Sequence, residues 1–201
     1  MFFAKQQSNK CGLHAIQNVL KTAAITSVDM KRACESIHEK TGDSVSNHET
    51  FGGDWSVSAV LQTLRDHNFE VYRAVVSKHE REWSGPSLEA LMKDPLFKGL
   101  VLHQPINRHY TCIRPETTGD ETHLYYVDSQ SNGPRRISCR LAERRCLSKA
   151  YAWEPFVVKG EELPFVPVPC AEPISCTERP LKRNKPSDEF LEEWRAFNQS
   201  R

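Results

Sequence analysis

Apolar residues recur at helical spacing in several stretches of the chain. Leu13, Ile16, Val19 and Leu20 predict a helix over 11–21 with one buried face. Met30, Ala33, Cys34 and Ile37 predict a second over 27–39, with Thr26 as its N-cap and Asp29 three residues later as the acidic partner of a capping box. Val57, Val60, Leu61 and Leu64 predict a third over 55–66, capped by Asp54. Residues 86–92 read as a short helix after a turn, and Ser138 caps a further helix to about 149, with Leu141, Ala142 and Leu147 inward.

Between these stretches the period changes to that of strands. Residues 69–76 alternate and are rich in β-formers. Residues 99–104 are almost continuously apolar, which predicts a central strand buried on both faces. Residues 109–113 and 123–129 predict two adjacent antiparallel strands joined by a polar loop containing Gly119, and 153–159 a final strand. The first six residues read as an extended lead-in, perhaps an edge strand. Helices followed mostly by strands predict an α+β fold, with helices beside an antiparallel sheet of about five strands.

Past Glu162 the pattern breaks. Pro164, Pro167, Pro169, Pro173, Pro180 and Pro186 interrupt any regular element. The expected organisation is a folded domain over 1–164, a Pro-rich linker over 165–187 and an amphipathic helix or tail over 188–201, where Phe190, Leu191, Trp194 and Phe197 share one side.

Composition narrows the function classes. The chain has 201 residues and a formal net charge of +1, so bulk charge gives no reason to expect nucleic-acid binding. No apolar run approaches the ~20 residues that span a bilayer, and Met1–Ala4 is too short for a secretory core. The seven cysteines are odd in number and lack a C-x-x-C pair, which predicts reduced thiols in the cytoplasm or nucleus and neither a disulfide framework nor a metal site. No cofactor is expected, and no membrane partner; a monomer is. The run Arg135, Arg136, Arg140, Arg144 and Arg145 reads as a solvated basic face, or as a surface for an acidic partner.

One cysteine stands apart from the others by position. Cys11 opens the first helix, where unspent backbone N–H groups and the positive end of the helix dipole favour an anion. The thiolate is the nucleophilic form of cysteine, and a helix start favours it. Gln6, five residues upstream, can turn its carboxamide back toward the site. With the Cys11 N–H it would stabilise an oxyanion. A thiol nucleophile also needs a base and an orienting group. His109 opens one predicted strand and Asp128 ends the next, so antiparallel pairing brings them together. His103 is the rival base. His14, His38 and His48 read as structural or solvated, and His123 as exposed. Trp55 either packs beneath the site or lines a cleft.

These residues resemble, in order, the motifs of the Josephin family, the ataxin-type deubiquitinating cysteine proteases. Lys5, Gln6, Cys11, His14 and Asn18 resemble its opening, Gly53 to Leu61 its second helix, and His109-Tyr110 its catalytic-histidine strand. Tyr126 to Ser129 resembles the strand with the orienting residue, and Phe156 to Gly160 followed by Leu163-Pro164 its closing strand. The resemblance covers about 3–164. It implies a papain-like fold, a catalytic triad of Cys11, His109 and Asp128, an oxyanion amide at Gln6, and ubiquitin or polyubiquitin as the partner. Asp128 stands where some members have Asn, and the short stretch before Gly53 implies a reduced helical arm over the site. Two further functions fit the same residues: a thiol hydrolase for another ubiquitin-like protein, and a non-enzymatic ubiquitin-binding module.

Overall fold

The computed structural model describes residues 1–6, 10–50, 53–75, 82–148 and 152–168. They belong to a compact unit running from Met1 to Pro169. The expected amphipathic helix and most of the expected linker lie outside the described residues.

Helices α1 (Cys11–Leu20), α2 (Ser27–Thr41) and α3 (Val57–Asp66) form where the apolar stripes predict them. The capping box of α2 is complete: Thr26 accepts from the Val28 N–H, and Asp29 accepts from the Thr26 N–H at 2.8 Å. Asp54 does not cap α3. Asp54–Trp55 is extended as β2, paired antiparallel with β1 (Glu49–Thr50), and this leaves Ser56 to accept the Ala59 N–H as the N-cap.

The sheet has six antiparallel strands, one more than expected. They are β3 (Glu70–Arg73), β4 (Phe97–Gln104), β5 (His109–Thr118), β6 (Glu121–Val127), β7 (Arg135–Ile137) and β8 (Glu154–Lys159), in the order β3-β8-β4-β5-β6-β7. The additional strand, β7, comes from the arginine run: Arg135 and Arg136 are exposed on an edge strand, where charge discourages further pairing. Met1 to Gln6 is not a strand. Its backbone is held instead by a side chain, with the Ala4 N–H on Asn18 Oδ1 at 2.7 Å and Asn18 Nδ2 on the Ala4 carbonyl at 3.0 Å.

Two cores lie on the two faces of the sheet. On one, α1, α2 and α3 bury Ile16, Val19, Met30, Val60 and Leu64 against Val101, Tyr110, Cys112 and Val158. On the other, α4 (Leu88–Leu91) and α5 (Cys139–Leu147) bury Leu88, Leu91 and Ala142 against Leu100, Leu102, Ile113 and Leu124. Strand β4 contributes to both, which is why its sequence is apolar without alternation.

Helix α1 lies close on the sheet because two glycines permit it. A Cβ at Gly99 would meet the Ile113 carbonyl at 2.3 Å and Val19 Cγ2 at 2.8 Å, and a Cβ at Gly12 would meet Val60 Cγ2 at 3.1 Å. The first glycine seats the body of the helix and the second seats its start, beside Cys11. The unit also closes on α1 from the far end of the chain: Thr22 Oγ1 donates to the Pro164 carbonyl at 2.8 Å, and the Ala23 N–H donates to the Val166 carbonyl at 2.7 Å.

Candidate active site

Cys11 is the first residue of α1 and is 6% exposed. Among the described residues no side chain caps this helix, and its N-cap is Lys10, which has no side-chain acceptor. His109 opens β5, and Asp128 follows the last residue of β6. The register pairs Cys112 with Val127, which puts His109 and Asp128 at the same end of the hairpin. His109 Nε2 and Asp128 Oδ1 are 3.1 Å apart. Cys11 is near enough to the same ring to favour its cationic form. The structure therefore brings together the three residues singled out in the sequence.

The electrostatics of this group follow from its contacts. Burial of His109 disfavours the imidazolium, but the hydrogen bonds to Asp128 and Cys11 outweigh burial and raise its pKa to about 9. Burial likewise opposes ionisation of Asp128; the bond from His109 and the backbone N–H of Gln130 prevail and hold its carboxyl below the ordinary value. At neutral pH His109 is thus a cation between a carboxylate and a sulfur. At Cys112 and Cys34 burial dominates instead. Burial pushes the Cys112 thiol up to about 12 and the Cys34 thiol up to about 11, so both stay protonated and inert. Cys11, Cys34, Cys112, Cys139 and Cys146 are all unbridged.

Replacing Asp128 by alanine is expected to reverse the balance at His109. Without the carboxylate, burial dominates, and the NMR titration of the ring should move from a midpoint near 9 to one at or below the ordinary histidine value near 6.5. An unchanged midpoint would contradict this account. The linked stability has a definite sign: the folded pKa exceeds the unfolded one, so the stabilisation is full below pH ~6.5 and is lost as pH rises through about 9.

Gln6 reaches the site from the lead-in segment. Its backbone N–H donates to the Ser129 carbonyl at 2.8 Å, and its Oε1 accepts from the Ser129 hydroxyl at 3.2 Å. The β4–β5 turn closes the other side. Arg108 adopts a left-handed backbone at φ +47°, its carbonyl accepts from Cys11 Sγ at 3.6 Å, and its guanidinium pairs with Asp54 at 3.7 Å.

The rival histidine lies elsewhere. His103 pairs in register with Tyr110, 4.7 Å ring to ring, and so shares the face on which α1 packs, but its carboxylate partner is Glu154 and not Asp128. Its Nδ1 is 3.0 Å from Glu154 Oε2. Burial lowers its pKa in spite of that carboxylate. His14 Nδ1 meets Gln17 Oε1 at 3.0 Å, and His48, which is buried, meets Ser56 Oγ at 3.0 Å. His123 is only partly exposed and contacts Arg136 and Glu121. Trp55 is 3% exposed and belongs to the core, with its carbonyl accepting from the Tyr110 hydroxyl at 3.0 Å. Ser129, Arg108 and Glu154 had no role in the sequence reading, because each acts through a partner distant in the chain.

Among the described residues no group of three or more His, Cys, Asp or Glu side chains is arranged to hold a metal ion, and no helix is long and apolar enough to cross a membrane. A scan against models of known protein families finds no match to the chain, and no curated protein matches it significantly.

Proposed function

We propose that this chain is a deubiquitinating cysteine protease on a papain-like fold, hydrolysing the bond at the C-terminal glycine of ubiquitin. The observation that carries the hydrolase reading is the grouping around one imidazole: His109 lies 3.1 Å from Asp128, and Cys11 is near enough to favour its cation. The choice of ubiquitin rests on the resemblance of the sequence motifs.

In this mechanism the Cys11 proton resides on His109, and an imidazolium beside the sulfur stabilises the thiolate. The sulfur attacks the glycine carbonyl. The resulting oxyanion accepts from the Cys11 N–H and the Gln6 carboxamide, a contribution of about 10²–10³ in rate for such a donor. His109 then gives its proton to the departing amine, leaving a thioester on Cys11. Next, the neutral imidazole takes a proton from water, and the hydroxide adds to the thioester carbonyl. As the intermediate collapses, the sulfur leaves as thiolate beside the His109 cation. Asp128 holds the ring in one tautomer and stabilises its charge throughout.

The test is labelling by ubiquitin bearing a thiol-reactive group at its C-terminus. An adduct is expected with the intact chain and none with Cys11→Ala. If iodoacetamide modifies Cys11 selectively while the ubiquitin probe does not, the reactive thiol stands and another ubiquitin-like protein becomes the substrate to try. If neither reagent selects Cys11, the hydrolase reading fails and a ubiquitin-binding module takes its place.

A further inference from the structure

Gln6 and His109 lie far apart in sequence, yet both are held by adjacent residues of one turn. Asp128 takes the imidazole, and Ser129 takes Gln6 twice, through its carbonyl and its hydroxyl. The turn itself is fixed. Gln130 donates to Asp128 Oδ1 at 2.9 Å, and the Ser131 N–H and hydroxyl donate to the Asp128 carbonyl at 2.9 and 2.7 Å. Ser129 is 2% exposed, so its hydroxyl works away from bulk water.

A carboxamide has two ends of similar shape and opposite polarity. Only the NH₂ end donates; the carbonyl end would repel an oxyanion. The side chain of Gln6 has several rotatable bonds, so its amide is a useful donor only if something fixes it. The Ser129 hydroxyl donates to Oε1 and thereby occupies the carbonyl end, which turns the NH₂ end away from Ser129. The main-chain bond between the same two residues fixes the starting point of that side chain.

We propose that Ser129 is a positioning residue for the oxyanion donor, acting through Gln6. It makes the Asp128-Ser129 pair a single support for both halves of the chemistry: one residue orients the base, the next orients the amide. The proposal rests on the hydrolase reading above, and it adds a residue whose contribution appears only as the tetrahedral intermediate forms.

The experiment is a double-mutant cycle on hydrolysis of a fluorogenic ubiquitin amide, with Ser129→Ala, Gln6→Ala and the pair. Ser129→Ala is expected to lower kcat about 10-fold with KM within twofold, a fraction of the ~10²–10³ that a lost oxyanion donor costs. In the Gln6→Ala background the same change should have less than a twofold effect, since there is no amide left to position. The His109 titration should stay near 9, because Asp128 is untouched. Ser129→Cys, of similar size with a weaker donor, should give an intermediate kcat and shows whether packing alone is at issue. A full 10-fold loss in both backgrounds, or a shifted His109 midpoint, would mean that Ser129 acts on the fold and would overturn the proposal while leaving the hydrolase intact. No change in kcat would overturn it as well. Absence of any Cys11-dependent hydrolysis by the unaltered chain would instead remove the hydrolase reading, and this proposal with it.

Discussion

His109→Ala is expected to lower kcat/KM for a ubiquitin amide by on the order of 10⁴-fold or more, and Cys11→Ala to leave no covalent turnover. The size follows from how many steps use the ring. His109 holds the proton that leaves the sulfur, returns it to the amine and then takes one from water, so its loss affects both halves of the reaction. The structure supplies a matched control. His103 is also a partly buried imidazole with a carboxylate partner at 3.0 Å, but that partner is Glu154 of β8 and not Asp128. His103→Ala should cost only a few-fold, and any cost should appear as lost stability. Stopped assays with all three variants, at equal folded concentration, check the ordering. Equal losses for His103 and His109 would defeat the assignment of the base.

The largest expected loss of stability is at Arg114. Its guanidinium is fully buried, donates to the carbonyls of Asn18 and Phe2, and lies 2.8 Å from a Glu116 oxygen. Arg114→Met removes the cation, leaves two carbonyls without that donor and leaves the half-buried Glu116 carboxylate to Lys21 at 4.0 Å. Breaking such a pair from one side costs about 3–5 kcal/mol. The urea midpoint should fall accordingly with an unchanged slope, and a loss below about 1 kcal/mol would show that water replaces the guanidinium without penalty. The site should suffer too. Asn18 clamps Ala4, two residues before Gln6, so Arg114 anchors the segment that carries the proposed oxyanion amide.

How much of this was legible in the sequence depends on the range of the interaction. The apolar stripes of α1 and α2, the Thr26–Asp29 box and the continuous run of β4 are local patterns, and each formed as expected. Cys11, His109 and Asp128 were legible as a group because one sits at a helix start and the other two on neighbouring strands. The Asp54 cap was misread because the competing partner, the short strand Glu49–Thr50, is weak in composition. Arg114 resembles any charged strand residue until its partners Phe2 and Asn18 are known. The same holds for Glu154 beside His103 and for Ser129 beside Gln6. Strand β7 was hidden by its arginines, which suit a solvated edge as well as a solvated helix.

The position of β8 bears on when the fold can form during synthesis of the chain. Residues 154–159 form hydrogen bonds on both sides, to β3 and to β4, so this late segment lies inside the sheet and not at its rim. Until it leaves the ribosome, β3 has no neighbour in the sheet and β4 has only β5. The hairpin with His109 and Asp128 can form locally, but the surface on which α1 rests is still incomplete. Such long-range pairing delays folding until residues 154–159 are available. A nascent chain therefore exposes Cys11 before the sheet beneath α1 is complete, and the grouping of Cys11, His109 and Asp128 is secured only once residues 154–159 have been made.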